Sequence, residues 1–275
     1  MRSAARRSPG VYTLLTIVVL ISLFPLYWSF VGASRDNAAI SKVPPTLVPG
    51  GNLLHNLRTA FTDFDMRLAL FNSFTVSTIV TISVVITSTM AGFAFAKLRF
   101  KGRGGLLIVV IATMMVPTQL GIIPLYIMMA NWFHLAGSIW SLILPAATSA
   151  FGVFFIRQYL VTALPVELLD AGRVDGCSTL QLYWHQVLPV ARPAMAVLGM
   201  LTFLATWNDF FWPLVAMNPQ NPTVQVALSA FAGGYVTDYS LVLTGALIST
   251  LPMLVVFVAM GRQILDGITQ GALKG

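Results

Sequence analysis

The chain has 275 residues, 57% of them hydrophobic and only 9% charged, with a formal charge of +7. A soluble domain carries roughly 25% charged residues, so most of this chain has lipid as its solvent, as its mean hydropathy of +0.81 also says. The positive charge does not point to nucleic acid, because Lys and Arg cluster at the ends of apolar runs and form no basic face.

A hydrocarbon core of about 30 Å takes about 20 apolar residues in a helix. Six runs are long enough: Val11 to Ala33, Leu68 to Ala96, Gly105 to Met129, Ile139 to Gln158, Pro193 to Val215 and Leu241 to Met260. An all-α membrane protein with six transmembrane helices is predicted. Arg2, Arg6 and Arg7 before the first run and Gly32-Ala33 at its end resemble a signal peptide. Its apolar core, however, exceeds the roughly 7–15 residues of a signal sequence, so an uncleaved first span is expected. The second and third runs are long enough to tilt or to project beyond the lipid. Kinks are expected at Pro117, Pro124, Pro145 and Pro252, where neighbouring helices can satisfy the freed carbonyls.

Placing the N-terminus in the cytoplasm puts twelve of the Lys and Arg residues inside and four (Arg35, Lys42, Arg58 and Arg67) outside. That is the asymmetry expected of a membrane protein, with both termini cytoplasmic. The segment between the fourth and fifth runs is then cytoplasmic. It reads ELLDAGRVDGCSTLQLYWHQVLP from Glu167 to Pro189. Pro165 suits a first helical position and Glu167 the positive end of a helix. Leu168, Leu169, Ala171 and Val174 form an apolar stripe, and Gly176 ends the helix. Ser178 and Gln181 form an S-x-x-Q capping box ahead of Leu180, Leu182, Tyr183 and Trp184. Two short amphipathic helices joined at Asp175-Gly176-Cys177 are therefore predicted. Glu167, Asp170 and Asp175 would repel an anionic lipid surface, so docking on another protein is expected rather than lying among headgroups.

Asn208 and Asp209 fall about 22–24 Å along the fifth run from Pro193. An acid within a span is expensive and marks function by default. An interfacial cap supported by Trp207 and Trp212, and a substrate-path or gate role, both remain open for Asp209. Asn72, Thr118, Gln119 and Asn131 are further polar candidates for the path, and Trp207 and Asn208 join Asp209 as candidates for it. The Ser and Thr residues of the second run read as helix-packing groups, and Trp132 and Trp140 as interfacial belt residues. Cys177 is the only cysteine, and His55, His134 and His185 lack ligand spacing, so no metal site is expected. Gly102-Arg103-Gly104-Gly105 has neither the lysine nor the spacing of a phosphate-binding loop, so the chain is not expected to bind ATP.

The cytoplasmic segment resembles the EAA loop of ABC importer permeases. Asp170-Ala171-Gly172 takes the E-A-A positions, Gly176 the following glycine and Leu188-Pro189 the closing pair. Asp170, Gly172 and Gln186 depart from that family's usual Glu, Ala and Ile. Asn72-Ser73, the stretch Gly92 to Leu98 followed by Phe100-Lys101-Gly102, Trp207-Asn208-Asp209-Phe210 and the C-terminal Gly271 to Gly275 are similar to carbohydrate-type permeases related to the maltose-importer G subunit.

The resemblance implies a type I ABC importer permease fold, with residues 68–262 as the permease core, a coupling loop at 165–189, an N-terminal region 1–67 and a cytoplasmic tail 263–275. It implies that Glu167, Asp170, Ala171, Gly172, Asp175, Gly176 and Pro189 couple the spans to a separate ATPase. Gly271, Lys274 and Gly275 would make a second contact with it. The implied partners are a sister permease, an ATPase dimer that binds ATP and Mg, an extracytoplasmic solute-binding protein, the bilayer and a sugar-type substrate. The implied location is the bacterial or archaeal cytoplasmic membrane. A stand-alone secondary transporter or channel would need paired intramembrane ions or inverted repeats, and a membrane enzyme a catalytic constellation. The sequence offers neither.

Overall fold

The computed structural model describes residues 9–233 and 237–272, with side chains as far as residue 259. In chain order its helices are α1 (Pro9–Ala33), α2 (Asn37–Ile40), α3 (Leu53–Thr62), α4 (Met66–Lys97), α5 (Arg103–Thr113), α6 (Ile122–Ile127) and α7 (Trp140–Ala146). There follow α8 (Ala150–Ala163), α9 (Val166–Val174), α10 (Thr179–Leu182), α11 (Leu188–Trp207), α12 (Phe211–Ala216), α13 (Val224–Phe231) and α14 (Tyr239–Ala272). Among the described residues no strand forms beyond the isolated bridge of Gly137 and Met217. Five helical runs are long and apolar enough to cross a membrane, or six if α5 and the bent segment after it count as one.

Two of the expected spans differ from single straight helices. The third is broken: α5 stops at Thr113, and Thr118–Trp132 leaves it at 89°. Pro117 lacks the N–H that would continue α5, and a 3₁₀ turn over Thr118–Gly121 redirects the chain into α6. The fourth is divided just after Pro145, at residues 147–149, into α7 and α8 and runs on to Ala163. The carbonyl of Ala147 at that break accepts from Ser83 Oγ at 2.8 Å and Thr87 Oγ1 at 3.4 Å, both on α4. Ser149 restarts the helix by accepting from the Gly152 N–H at 3.1 Å. Neighbouring hydroxyls thus satisfy a carbonyl at the end of α7, while Ser141 O, which Pro145 has no N–H to bond, accepts from Trp212 Nε1 at 3.0 Å. By contrast, α14 continues through Pro252.

The chain divides into two compact units. The first joins Met1–Arg67 to Ala227–Leu251. Along α1 only Val31, Gly32 and Ala33 are buried, as suits a helix surrounded by lipid. Its end is tied down by Asn56 of α3, whose Nδ2 donates to the carbonyls of Ala33 at 2.9 Å and Arg35 at 2.8 Å. Asn37 Nδ2 donates to Thr237 O, and Asn37 Oδ1 accepts from the Tyr239 N–H. Phe64 packs edge-on against Phe231, with centroids 4.2 Å apart.

The second unit, Leu68–Val226 with Pro252–Gly275, holds the main core. Val76, Val80, Val84 and Phe93 of α4 meet Ile156 and Leu160 of α8 and Leu198 of α11 in one buried cluster. Lipid tails are as apolar as these side chains, so close packing and interhelical hydrogen bonds, rather than expulsion of water, hold such helices together. The Ser73 hydroxyl accepts from the Val224 N–H at 2.8 Å, which fits the packing role read for the hydroxyls of this span.

Candidate functional site

The segment from Glu167 to Pro189 folds differently at its two ends. Pro165 serves as the cap residue before α9 rather than as its first helical residue, and Glu167 lies in the first turn. Asp175, Gly176 and Cys177 close the helix. The Cys177 N–H donates to Gly172 O at 2.9 Å and the Gly176 N–H to Arg173 O at 3.0 Å, the bond pair of a Schellman motif. Gly176 has φ +82°, a conformation that only glycine adopts without strain. The Ser178–Gln181 capping box forms in both directions, at 3.3 Å and 2.8 Å.

The second expected short helix is a correction: it is the start of the fifth span. Thr179–Trp207 is one helical run of 29 residues, carrying a π turn at Tyr183–Val187. Pro189 explains the turn. Without an N–H it cannot bond to the His185 carbonyl, and the Leu188 N–H reaches back five residues to Tyr183 O. Pro189 therefore lies inside the run and is no terminus of the loop.

Of the apolar stripe read for α9, one residue turns inward. Leu169 alone of its four residues is buried, in the cluster that holds Leu160, Leu182 and Tyr183, whereas Val174 is 88% exposed. Gly172 is buried for a spatial reason. A Cβ there would stand 2.5 Å from Leu182 Cδ2 and 2.6 Å from Gln186 Nε2. Two of the departures from the family pattern, Gly172 and Gln186, are thus neighbours, and the missing methyl makes room for the longer amide. The acids stay exposed, and Asp170 pairs with Arg173 at 2.7 Å. Glu167, Asp170, Asp175, Val174, Leu180 and Trp184 are all exposed on this end of the unit.

At the other end of the same helix the expected place of Asp209 within the span is corrected. The fifth span ends at Trp207 and does not reach Val215, so Asp209 lies in the turn before α12. There it lines a cavity of about 440 Å³ with Ser73, Thr118, Gln119, Thr206, Trp212 and Thr223. The backbone N–H groups of Phe211 and Trp212 bond to its carboxylate. The break at Pro117 brings Thr118 and Gln119 to this cavity, because their 3₁₀ turn faces it.

The other path candidates lie elsewhere. Trp207 is 1% exposed, stacked on Phe203 with its indole N–H unpartnered, and is a core residue. Asn72 is 4% exposed and donates to Asn221 Oδ1 at 2.7 Å and Pro222 O at 2.9 Å, so it pins a loop. Asn131 is exposed away from the cavity, and Asn208 bonds back to Leu204 O at 2.8 Å. Trp212 is half-buried and donates from Nε1 to Ser141 O at 3.0 Å, so it is a cavity wall rather than a belt residue. Thr206, Phe211 and Thr223 were missed by sequence reading, since single hydroxyls and aromatics in apolar runs carry no signal of their own. The backbone of Gly271 belongs to α14, and Lys274 and Gly275 lie outside the described residues.

Residues 83–264 match the family described as binding-protein-dependent transport system inner membrane component. The chain is 32% identical over 277 residues to the lactose transport system permease protein LacG of Rhizobium radiobacter, covering the whole of both chains. It is 31% identical over 278 residues to the arabinooligosaccharides transport system permease protein AraQ of Halalkalibacterium halodurans, covering 98% and 99% of the two. It is also 31% identical to the sn-glycerol-3-phosphate transport system permease protein UgpE of Yersinia enterocolitica, covering 94% of each. Its fold is similar to a chain in the crystal structure of a bacterial ABC transporter that imports the acidic polysaccharide alginate. There the TM-score is 0.76, the identity 21%, and the coverage 92% of this chain and 94% of that one. The chain therefore belongs to the inner-membrane components of binding-protein-dependent ABC transport systems, and it is a transport subunit rather than an enzyme.

Proposed function

We propose that this chain forms half of the translocation pathway of an importer for a sugar or sugar derivative, with α9 and its capped turn docked on a separate cytoplasmic ATPase. The observation that carries the coupling role is the rigid attachment of an exposed knob to a membrane-length helix. Leu169 and Gly172 seat α9 against Leu182 and Gln186, and the same helix runs unbroken to Trp207. A push on the knob therefore travels as a rigid-body motion. Glu167, Asp170, Ala171, Asp175 and Val174 form the face offered to the ATPase, while Gly172, Gly176 and Pro189 shape it. ATP and Mg belong to that partner.

The lysine and arginine asymmetry supports cytoplasmic termini and puts the knob on the ATPase side. A sister permease completes the pathway, and a solute-binding protein delivers from outside. The relatives that carry lactose and arabinooligosaccharides in their names support a sugar-type solute. The cavity at Asp209 and Gln119 is this chain's contribution to the solute path. Residues Gly271, Lys274 and Gly275 make a second ATPase contact in this reading.

The test is co-purification of the ATPase from membranes carrying Glu167→Lys with Asp170→Lys, and separately Val174→Asp. All three positions are exposed, so insertion stays normal while ATPase recovery falls about tenfold or more, as loss of buried interface contacts does. Full ATPase recovery with both variants would sink the docking reading.

A further inference from the structure

The cavity beside the end of α11 has charge of one sign only. Of the described residues that line it, Asp209 alone is ionisable. Its carboxylate is fixed by the N–H groups of Phe211 and Trp212, which leaves acceptor positions free, since an ionised carboxylate offers about four. Around it stand Thr118, Gln119, Thr206 and Ser73, each able to donate and to accept. Thr223 is 5% exposed and its hydroxyl has no partner among the described residues. Phe211 offers an exposed ring, which suits the C–H face of a sugar ring. Among the described residues no lysine, arginine or histidine lines the cavity. An anionic solute would meet a fixed negative charge and find no base to pair with.

We propose that this cavity is a polyol subsite that admits neutral carbohydrate and rejects anionic solutes, with Asp209 setting the sign. Solute hydroxyls donate to Asp209 and exchange bonds with Gln119 and Thr118, whereas a phosphate or carboxylate has acceptors only and gains nothing from the carboxylate. The inference rests on the reading that the cavity lies on the solute path.

The test uses the assembled transporter in a Cys177→Ser background with Thr118→Cys, and a second time with Gln119→Cys. Each is treated with neutral hydroxyethyl methanethiosulfonate and with anionic sulfonatoethyl methanethiosulfonate. Rates are divided by each reagent's rate with a free thiol in solution. The anionic reagent is expected to lag the neutral one by about tenfold. That is the size a like charge within about 10 Å produces at an effective dielectric near about 20. Asp209→Asn should bring the two rates within about twofold of each other, since the neutral amide removes the repulsion. Equal rates before and after that change would overturn the charge selection while leaving the path reading intact. If neither reagent reaches either cysteine, the cavity is not on an aqueous path and both readings fall.

Discussion

The Thr179–Trp207 helix ends in opposite ways. At its start, Glu167, Asp170 and Asp175 stand in the open on a knob whose turn is capped on both sides, at Gly176 and Ser178. At its finish, a single acid is drawn into a cavity and held by two backbone N–H groups. Exposed charges on a rigid support suit recognition of another protein, because their desolvation is deferred until the partner arrives. A half-buried charge in a cavity suits recognition of a small polar solute, because its geometry is fixed before the solute enters. One helix, about 43 Å long at about 1.5 Å per residue, thus carries two kinds of site.

The comparison is sharpest where a structural residue adjoins a functional one. Trp207→Ala should cost about 3–5 kcal/mol, the usual loss for truncating a buried aromatic. Thermal unfolding in detergent checks this, and Trp207→Phe should recover most of the loss; a fully stable alanine variant would return Trp207 to the solute path. Gly172→Leu should cost about 1–3 kcal/mol by overpacking against Leu182 and Gln186. If the seat of α9 transmits force, ATPase-driven uptake should fall more steeply in that variant than the amount of folded protein does. Pairing it with Gln186→Ala should restore part of the stability, and a simply additive double variant would show that the two side chains do not meet.

Smaller effects probe the capped turn and the cavity. Ser178→Ala removes half of the capping box and should cost about 1 kcal/mol. Faster amide hydrogen exchange is expected at residues 179–182 and nowhere near Asp209; exchange that quickens at both ends would mean that the two ends are not independent. Asp209→Asn keeps an acceptor oxygen for the Phe211 and Trp212 N–H groups and should change stability by less than about 1 kcal/mol, since Asn and Asp cap helix starts about equally well. Uptake of the transported solute should nonetheless fall in that variant, with membrane level and ATPase recovery unchanged. Normal uptake would make Asp209 an end cap of the helix and nothing more.

Much of the knob was legible in the sequence because its signals are local. A glycine for positive φ, a serine three residues before a glutamine and a proline before the helix each act within one turn. The joining of the second knob helix to the fifth span was not legible. The Pro189 side chain reads as a stop, and only a π turn that shifts one bond back by five residues lets the helix continue. The cavity was half legible. Thr118, Gln119 and Asp209 stand out as polar residues in apolar runs, whereas Asn72, chosen on the same ground, pins a loop, and Trp207, chosen for its place beside Asp209, is a core residue.

By itself, the sequence determined that this chain lives in a membrane, that it carries about six apolar runs, and that its charged insert is capped at Gly176 and Ser178. Those properties depend on composition and on contacts within one turn. Only the tertiary structure decided that the kink expected at Pro117 amounts to 89° and that Thr118 thereby lines one cavity with Asp209, 91 residues away. It alone decided that Gly172 exists to admit Gln186. The physical reason is the same in each case. In a lipid solvent hydrophobicity does not say which apolar face meets which, and close packing with a few interhelical hydrogen bonds makes that choice.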